Sequence, residues 1–261
     1  MNRRPIGIFD SGVGGLTVFS EIKKRLPNEN FIYLGDTQNF PYGSKSKEQI
    51  IEFSIKNTEK LIDLGAKCIV IACGTATSQA IDVLKEKFDI PVIGIIEPTV
   101  KYIKQQNETR IGVIATEGTI KSGAWENTLK KHINNIEVIN KAWPMLATIA
   151  EEGRATSQEG RSAIKEYMQL FKENRIDKII LGCTHYPIYK KLIREELGYP
   201  VELINTGVTV SNELTEYLKT NSLLNTEDGG EDIIFLTKPE EEFKLIAKNL
   251  LNFDIEIRQI T

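Results

Sequence analysis

The chain has 261 residues, of which 41% are hydrophobic and 26% charged, with a formal net charge of -3 at pH 7. These values are ordinary for a soluble globular protein and argue against nucleic acid or a membrane surface as the main partner. No apolar run approaches the ~20 residues that span a bilayer. The first residues form no signal peptide, and three cysteines make no disulfide framework. We therefore expect a cytoplasmic protein.

The first part of the chain alternates short apolar strands with amphipathic helices. Strands are predicted at residues 5–9, 31–34, 68–72 and 91–95. Helices are predicted at residues 16–26, 46–64 and 75–88, and a further one starts near residue 97. Gly65 is placed to end the second of these helices.

A second cycle of strands and helices follows. Strands are predicted at residues 110–115, 136–139, 178–181 and 201–204, with helices at 120–131, 145–152, 157–173, 188–197 and 208–219. Residues 220–231 form a polar loop, and the chain ends with a strand at 233–236, a helix at 240–251 and a strand at 255–257. This alternation predicts an α/β fold with mostly parallel sheets flanked by helices.

Two cysteines hold matching places in the two cycles. Cys73 and Cys183 each follow a predicted strand and stand beside a threonine that is able to cap the next helix, 110 residues apart. That separation is about one small domain. We predict a first domain of residues 1–97 plus 207–261 and a second domain of residues 98–206.

A thiol serves as nucleophile, metal ligand or proton carrier, or it simply packs in the core. Cys68 lies inside a predicted strand, which favours packing. Cys73 and Cys183 lie at strand ends, where ligands bind in open α/β sheets. One thiol from each cycle therefore predicts a site that uses both.

Other polar residues near these strand ends allow a structural and a functional interpretation. His185 is either a core histidine or a proton carrier beside Cys183. Asp10 either caps a helix, or pairs with a substrate ammonium or orients a thiol. Tyr42 and Gly43 either line a pocket or form a turn. Glu151, by default, is solvated surface.

The glycine run after the first strand permits a further interpretation. Gly12 and Gly14 form half of a dinucleotide-binding fingerprint, with Asp36 as the acidic residue at the end of the second strand. The match is weak because Thr17 replaces the third glycine. Asp10 would also place a negative charge near the pyrophosphate.

Four ordered blocks of the chain resemble the signature blocks of the glutamate racemase family. They are residues 10–16, 41–43, 72–76 and 181–187. The resemblance implies two pseudo-symmetric α/β domains with the active site in the cleft between them. It also implies a racemase without cofactor or metal that interconverts L- and D-glutamate and supplies D-glutamate for peptidoglycan. A homodimer is common in the family, and the oligomeric state of this chain stays open.

The resemblance also implies roles for individual residues. Cys73 would remove the α-proton of D-glutamate and Cys183 that of L-glutamate. The implied auxiliary acids and bases are Asp10, Glu151 and His185. The implied substrate contacts are Asp10, Ser11, Tyr42, Gly43, Gly74, Thr75, Thr184 and His185.

Two residues depart from the family pattern, and several alternatives stay open. Gly74 stands where the family most often has asparagine, and Trp143 where we expect a cysteine. A zinc enzyme using Cys73, Cys183 and His185 is one alternative, since such ligands hold catalytic zinc. A racemase for aspartate or another amino acid is a second. A non-catalytic protein that binds an amino acid or a partner is the third.

Overall fold

The structure is a computed structural model that describes residues 3–227, 230–239, 241–251 and 255–260. Its strands are β1 (Ile6–Asp10), β2 (Phe31–Gly35), β3 (Cys68–Ile71), β4 (Val92–Gly94), β5 (Arg110–Ala115), β6 (Glu137–Ala142), β7 (Lys178–Leu181), β8 (Glu202–Asn205), β9 (Asp232–Leu236) and β10 (Glu256–Gln259). Its helices are α1 (Leu16–Arg25), α2 (Lys47–Asp63), α3 (Gly74–Lys87), α4 (Ile96–Gln105), α5 (Glu117–Lys121), α6 (Ala124–His132), α7 (Leu146–Glu151), α8 (Gln158–Glu173), α9 (Lys190–Leu197), α10 (Thr206–Thr220) and α11 (Glu241–Leu251).

The strands form two sheets. The first has the order β10-β9-β2-β1-β3-β4 and the second the order β6-β5-β7-β8. Every neighbouring pair is parallel, so the carboxyl ends of the strands in each sheet share one edge. The predicted fold class is confirmed, because parallel strands require the helical crossovers that the sequence pattern indicated.

The last two strands return to the first sheet, where β9 pairs with β2. The proposed domain limits at residues 97 and 207 fall inside α4 and α10, which pack against each other. One hydrophobic cluster contains residues of both sheets, including Ile8 of β1 and Val113 of β5. The domain division stays a proposal, and it describes two sheets that share part of their core.

Local signals set several helix ends as expected. Ser46 caps α2 in a capping box with Gln49, and Gly65 follows α2 with φ of +87°. The predicted helix at 120–131 is wrong in one respect, because it is divided into α5 and α6. Gly123 interrupts it with φ of +69°, a conformation that glycine adopts without steric strain.

The prediction that threonines cap the helices after the two cysteines is wrong. Cys73 itself is the N-cap of α3, and its Sγ accepts a hydrogen bond from Ala76 N at 3.4 Å. After Cys183 the chain forms a 3-10 turn at Tyr186–Tyr189 before α9 begins at Lys190. Both threonine hydroxyls are thereby available for contacts at the strand ends.

Three predictions fall close to residues outside the described ranges. The polar loop at 220–231 includes residues 228 and 229, which the structure does not describe. The helix predicted from residue 240 is described from Glu241, and the strand predicted at 255–257 is observed as β10. Within the described ranges, no helix has the length and apolar character to cross a membrane.

A buried ion pair ties the segment after α10 to the first sheet. Lys67 Nζ lies 2.5 Å from Glu29 Oε2, and both side chains are at most 1% exposed. Lys67 also donates to the carbonyl oxygen of Leu223 at 2.8 Å, and Glu29 accepts from Asn225 N at 2.8 Å. The pair therefore holds in place the chain that leads from α10 to β9.

We expect Lys67→Met to lower the free energy of unfolding by about 3 kcal/mol, because it leaves the Glu29 carboxylate buried without its cation. Urea unfolding followed by circular dichroism measures the change. Lys56→Met is the matched control, since Lys56 pairs with Glu52 on the exposed face of α2 and such a pair contributes about 0.3–0.5 kcal/mol. Equal effects of the two substitutions would contradict the prediction.

Candidate active site

The two cysteines at the strand ends meet at one cavity. Cys73 follows β3 of the first sheet, Cys183 follows β7 of the second, and both line a cavity of about 20 Å³. Every predicted substrate contact except Asp10 lines the same cavity. A larger recess of about 350 Å³ lies at α4 and α10, but neither thiol lines it. The chemistry-bearing side chains therefore converge on the smaller cavity.

Cys73 has a buried, partly acidic environment. Its side chain is 5% exposed, and its Sγ lies 3.9 Å from Ser11 Oγ. Burial and the nearby Asp10 carboxyl raise the pKa of the Cys73 thiol to about 12. Cys73 is therefore a neutral thiol in this arrangement, and a neighbouring group must accept its proton before it acts as a base.

Asp10 ends β1 and is fully buried beside this thiol. Its Oδ1 accepts from Gly12 N at 3.0 Å, and its Oδ2 accepts from Thr184 Oγ1 at 3.1 Å. Burial raises the pKa of Asp10 to about 6, although the positive charge of His185 opposes the shift. A carboxyl that titrates near neutrality is suited to exchanging a proton at this position.

Cys183 belongs to a different arrangement, a chain of three side chains. Cys183 Sγ lies 3.6 Å from His185 Nδ1, and His185 Nε2 lies 2.6 Å from Glu151 Oε1. Burial lowers the pKa of His185, but its hydrogen bonds to Cys183 and Glu151 outweigh burial and raise the pKa well above the usual value. His185 is therefore a cation placed to exchange a proton with Cys183 and held in orientation by Glu151.

Glu151 also connects the two sheets, so its prediction as solvated surface is wrong. Its Oε1 accepts a second hydrogen bond from Val13 N, at 2.6 Å, and the side chain is 10% exposed. A Cβ at Gly12 would overlap Glu151 Oε1, and a Cβ at Gly14 would lie 2.6 Å from His185 Nδ1. The glycine run thus lets these side chains approach the backbone, and they fill the space that the dinucleotide interpretation needs.

Hydroxyl groups from both sheets surround the cavity. Thr75 Oγ1 lies 2.8 Å from Thr116 Oγ1, which follows β5, and Thr17 Oγ1 donates to the carbonyl oxygen of Thr184 at 2.8 Å. The sequence analysis considered Thr17 only as the residue that replaces the third glycine, and it did not identify Thr116 as part of the site. The position of Thr116 at the end of a parallel strand was the signal that pointed to the site.

Tyr42 and Gly43 lie at the cavity, but the Tyr42 hydroxyl forms its hydrogen bonds with other side chains of the protein. It donates to Asp36 Oδ2 at 2.5 Å and accepts from Asn57 Nδ2 at 3.0 Å. Asp36 therefore anchors the loop that carries Tyr42. A substrate contact from residues 42 and 43 would come from their backbone groups.

The remaining candidates are placed as follows. Trp143 is fully buried and stacks on Tyr167 with ring centroids 5.6 Å apart, so it packs in the second core and does not line the cavity. Cys68 is buried in β3, and burial raises its thiol pKa to about 12. His132 is exposed at the end of α6.

Among the described residues no three His, Cys, Asp or Glu side chains are grouped to hold a metal ion, so the geometry gives the zinc alternative no support.

Comparisons with known proteins agree with this geometry. The family model described as Asp/Glu/Hydantoin racemase matches residues 13–210. The glutamate racemase of Listeria innocua is 40% identical over 261 residues, covering 99% of this chain and 98% of that protein. The crystal structure of glutamate racemase isoform RacE1 from Bacillus anthracis gives a TM-score of 0.95 at 34% identity, covering 100% of this chain and 98% of that one.

A further solved structure carries a ligand. Glutamate racemase from Francisella tularensis, in complex with D-glutamate, gives a TM-score of 0.93 at 36% identity, covering 100% of this chain and 98% of that one. The similarity to glutamate racemases, which the sequence analysis found in four blocks, therefore extends over the whole chain and both sheets.

Proposed function

The chain belongs to the Asp/Glu/Hydantoin racemase family and is an amino-acid racemase of the glutamate racemase type, and we propose that it inverts glutamate by removing the α-proton with one of the thiols of Cys73 and Cys183 and delivering a proton to the opposite face from the other. One observation carries the proposal. Two thiols that come from different sheets line the same cavity. Inversion at carbon requires a base on one face and an acid on the other, and this arrangement supplies one of each.

The two thiols exchange roles with the direction of reaction. In the proposed mechanism the Cys73 thiolate removes the α-proton of D-glutamate while the Cys183 thiol protonates the opposite face, and the reverse occurs with L-glutamate. Asp10 lies beside Cys73 and accepts its proton, whereas His185 exchanges a proton with Cys183 and Glu151 orients the imidazole. Asp10 is fully buried and does not line the cavity, so we assign it to Cys73 and not to the substrate ammonium.

The carbanionic intermediate places negative charge on the α-carboxylate, which needs hydrogen-bond donors. Thr75, the backbone N–H of Thr184 and the backbone N–H groups at the start of α3 lie at the cavity and are suited to this role; the Thr184 hydroxyl donates to Asp10 instead. The N-terminus of α3 adds a favourable helix dipole. Gly74 contributes its backbone N–H, and Ser11 with residues 42 and 43 supplies further contacts to the substrate.

We further propose that the product D-glutamate is used for peptidoglycan synthesis and that the enzyme acts in the cytoplasm. Its full-length similarity to bacterial glutamate racemases supports both statements. A homodimer is proposed on the same family resemblance. Sedimentation of the purified protein tests the dimer independently of the reaction.

Circular dichroism tests the reaction directly. We expect purified protein given L-glutamate, with no additive, to bring the glutamate ellipticity to zero, and D-glutamate to reach the same end point from the opposite sign. A stable signal from both enantiomers would contradict the proposal. Tight glutamate binding without α-deuterium exchange in D₂O would instead favour the non-catalytic alternative.

The substrate is tested by comparing rates on D-glutamate, D-aspartate and D-alanine at equal concentrations. We expect D-glutamate to be racemised fastest. Faster turnover of D-aspartate or D-alanine would move the assignment to the alternative racemase while leaving the two-thiol chemistry intact.

The pH dependence follows from the pKa of Asp10. Because burial raises this pKa to about 6, Asp10 loses its charge as the pH falls through that value and no longer accepts the Cys73 proton. We therefore expect kcat/KM to fall below about pH 6, and we expect Asp10→Asn to lower kcat/KM and abolish this acid limb. An unchanged acid limb in Asp10→Asn would show that another group titrates there.

A further inference from the structure

The backbone segments that carry the two thiols touch each other through two glycines. Gly74 follows Cys73 at the first position of α3, and Gly182 precedes Cys183 after β7. A Cβ built on Gly74 would overlap the carbonyl oxygen of Gly182, far inside the 3.0 Å that real Cβ atoms keep from such an atom. The neighbour is backbone of the other sheet, so a flexible side chain cannot relieve the overlap.

Gly182 is also held in place by contacts with other residues. Its N–H donates to the carbonyl oxygen of Ile114 at 2.8 Å. A Cβ on Gly182 would lie 2.8 Å from Trp125 Nε1, so the indole packs against this residue. Trp125 is 1% exposed and belongs to the shared hydrophobic core. Movement of the Gly182 carbonyl to make room for a side chain at position 74 would therefore disturb these contacts.

We propose that Gly74 is a positioning residue whose missing side chain sets the separation of the Cys73 and Cys183 sulfurs across the cavity. This inference rests on the proposed two-thiol reaction and adds to it the residue that sets the gap. Any larger residue at position 74 must move the start of α3 away from the end of β7. The two segments carry the thiols, so the sulfurs move apart with them.

The glycine at position 74, where the family most often has asparagine, therefore has a physical consequence. An asparagine at this position would add an amide donor, and the start of α3 would have to lie further from the second sheet to accommodate it. The glycine gives up that donor and allows the two thiol-bearing segments to make backbone contact. Proton transfer depends steeply on this spacing, because a misplacement of ~1 Å can reduce a rate ~100-fold.

The test is Gly74→Ala, which adds one methyl group. We expect kcat with either enantiomer to fall by about 10- to 100-fold and KM to change by less than about threefold. The primary deuterium isotope effect, measured with α-deuterated glutamate, rises because proton transfer becomes more fully rate-limiting. A purely structural role would not change the isotope effect.

Alkylation by iodoacetamide, followed by mass spectrometry, reports on the gap between the two thiols without requiring turnover. Cys73 and Cys183 are each 5% exposed, and we expect their alkylation to be at least about tenfold faster in Gly74→Ala, since a wider gap admits the reagent. Cys68 is buried in β3 and serves as the internal control that stays unreacted in the folded protein.

Two other glycines supply matched variants. Gly160→Ala places a Cβ 2.7 Å from the carbonyl oxygen of Ala155, a local clash between α8 and the turn before it that does not involve the cavity lining, and it should leave kcat and both thiol reactivities unchanged. Gly118→Ala places a Cβ 3.0 Å from the carbonyl oxygen of Gly43, a milder clash between the two sheets. We expect it to increase thiol alkylation less than Gly74→Ala does, and it replaces that variant if Gly74→Ala does not fold.

Unchanged kcat, isotope effect and alkylation in Gly74→Ala would overturn the proposal. If that variant does not fold, unchanged alkylation in Gly118→Ala would overturn it. The proposed function fails separately, if the unmodified protein does not racemise glutamate. In that case the alkylation rates still decide whether residue 74 sets the gap.

Discussion

Replacing either Cys73 or Cys183 by alanine should lower racemisation by at least about 10⁴-fold. A single remaining thiol returns the proton to the face from which it removed it, so inversion stops even though one acid–base group persists. Loss of one catalytic proton-transfer group typically costs ~10²–10⁴-fold, and in the proposed mechanism each thiol serves one face of the α-carbon. Circular dichroism with each enantiomer measures the loss.

The remaining thiol should still exchange the proton of one enantiomer. In D₂O, Cys73→Ala should incorporate deuterium into L-glutamate through Cys183, and Cys183→Ala should incorporate it into D-glutamate through Cys73. Cys68→Ala is the control and should keep the unmodified rate, since Cys68 packs inside β3. Full racemisation by either catalytic variant, or exchange into the wrong enantiomer, would refute the assignment of the two faces.

The sequence could predict the strand ends because they depend on short-range patterns. The apolar runs before Cys73 and Cys183 predicted β3 and β7 nearly to the residue. Since parallel strands expose their carboxyl ends at one edge, the two thiols were expected at sheet edges. The same reasoning placed Asp10 at the end of β1.

The contacts across the two sheets could not be predicted in this way. Glu151 looked like solvated surface because its burial depends on Val13 and His185, which are distant in sequence. The identity of the cap on α3 also depended on tertiary contacts, because Thr75 bonds to Thr116 and leaves the cap to the Cys73 sulfur. Local sequence propensities contain no information about a hydrogen-bond partner that comes from another sheet.

His185→Asn should lower kcat/KM by about 10³-fold, within the range for removal of a general acid–base group. The two enantiomers have equal free energies in water, so the equilibrium constant is unity and kcat/KM must fall equally in both directions. A difference between the directions can therefore be seen only in how far each proton-abstraction step limits the rate. Initial rates of racemisation from L- and from D-glutamate measure the loss.

The primary deuterium isotope effect measures that difference. Because His185 contacts Cys183 and not Cys73, the variant slows abstraction from L-glutamate, and the isotope effect should rise with α-deuterated L-glutamate more than with the D-enantiomer. His132→Asn is the matched control, since His132 is exposed on α6, and it should change neither rate nor isotope effect.

Glu151→Gln should reproduce the asymmetry with a smaller loss, because the amide still accepts a hydrogen bond from the imidazole but stabilises its cation less. An equal rise for both enantiomers would show that His185 serves both thiols, and the division of the site into an Asp10 side and a His185 side would then be wrong.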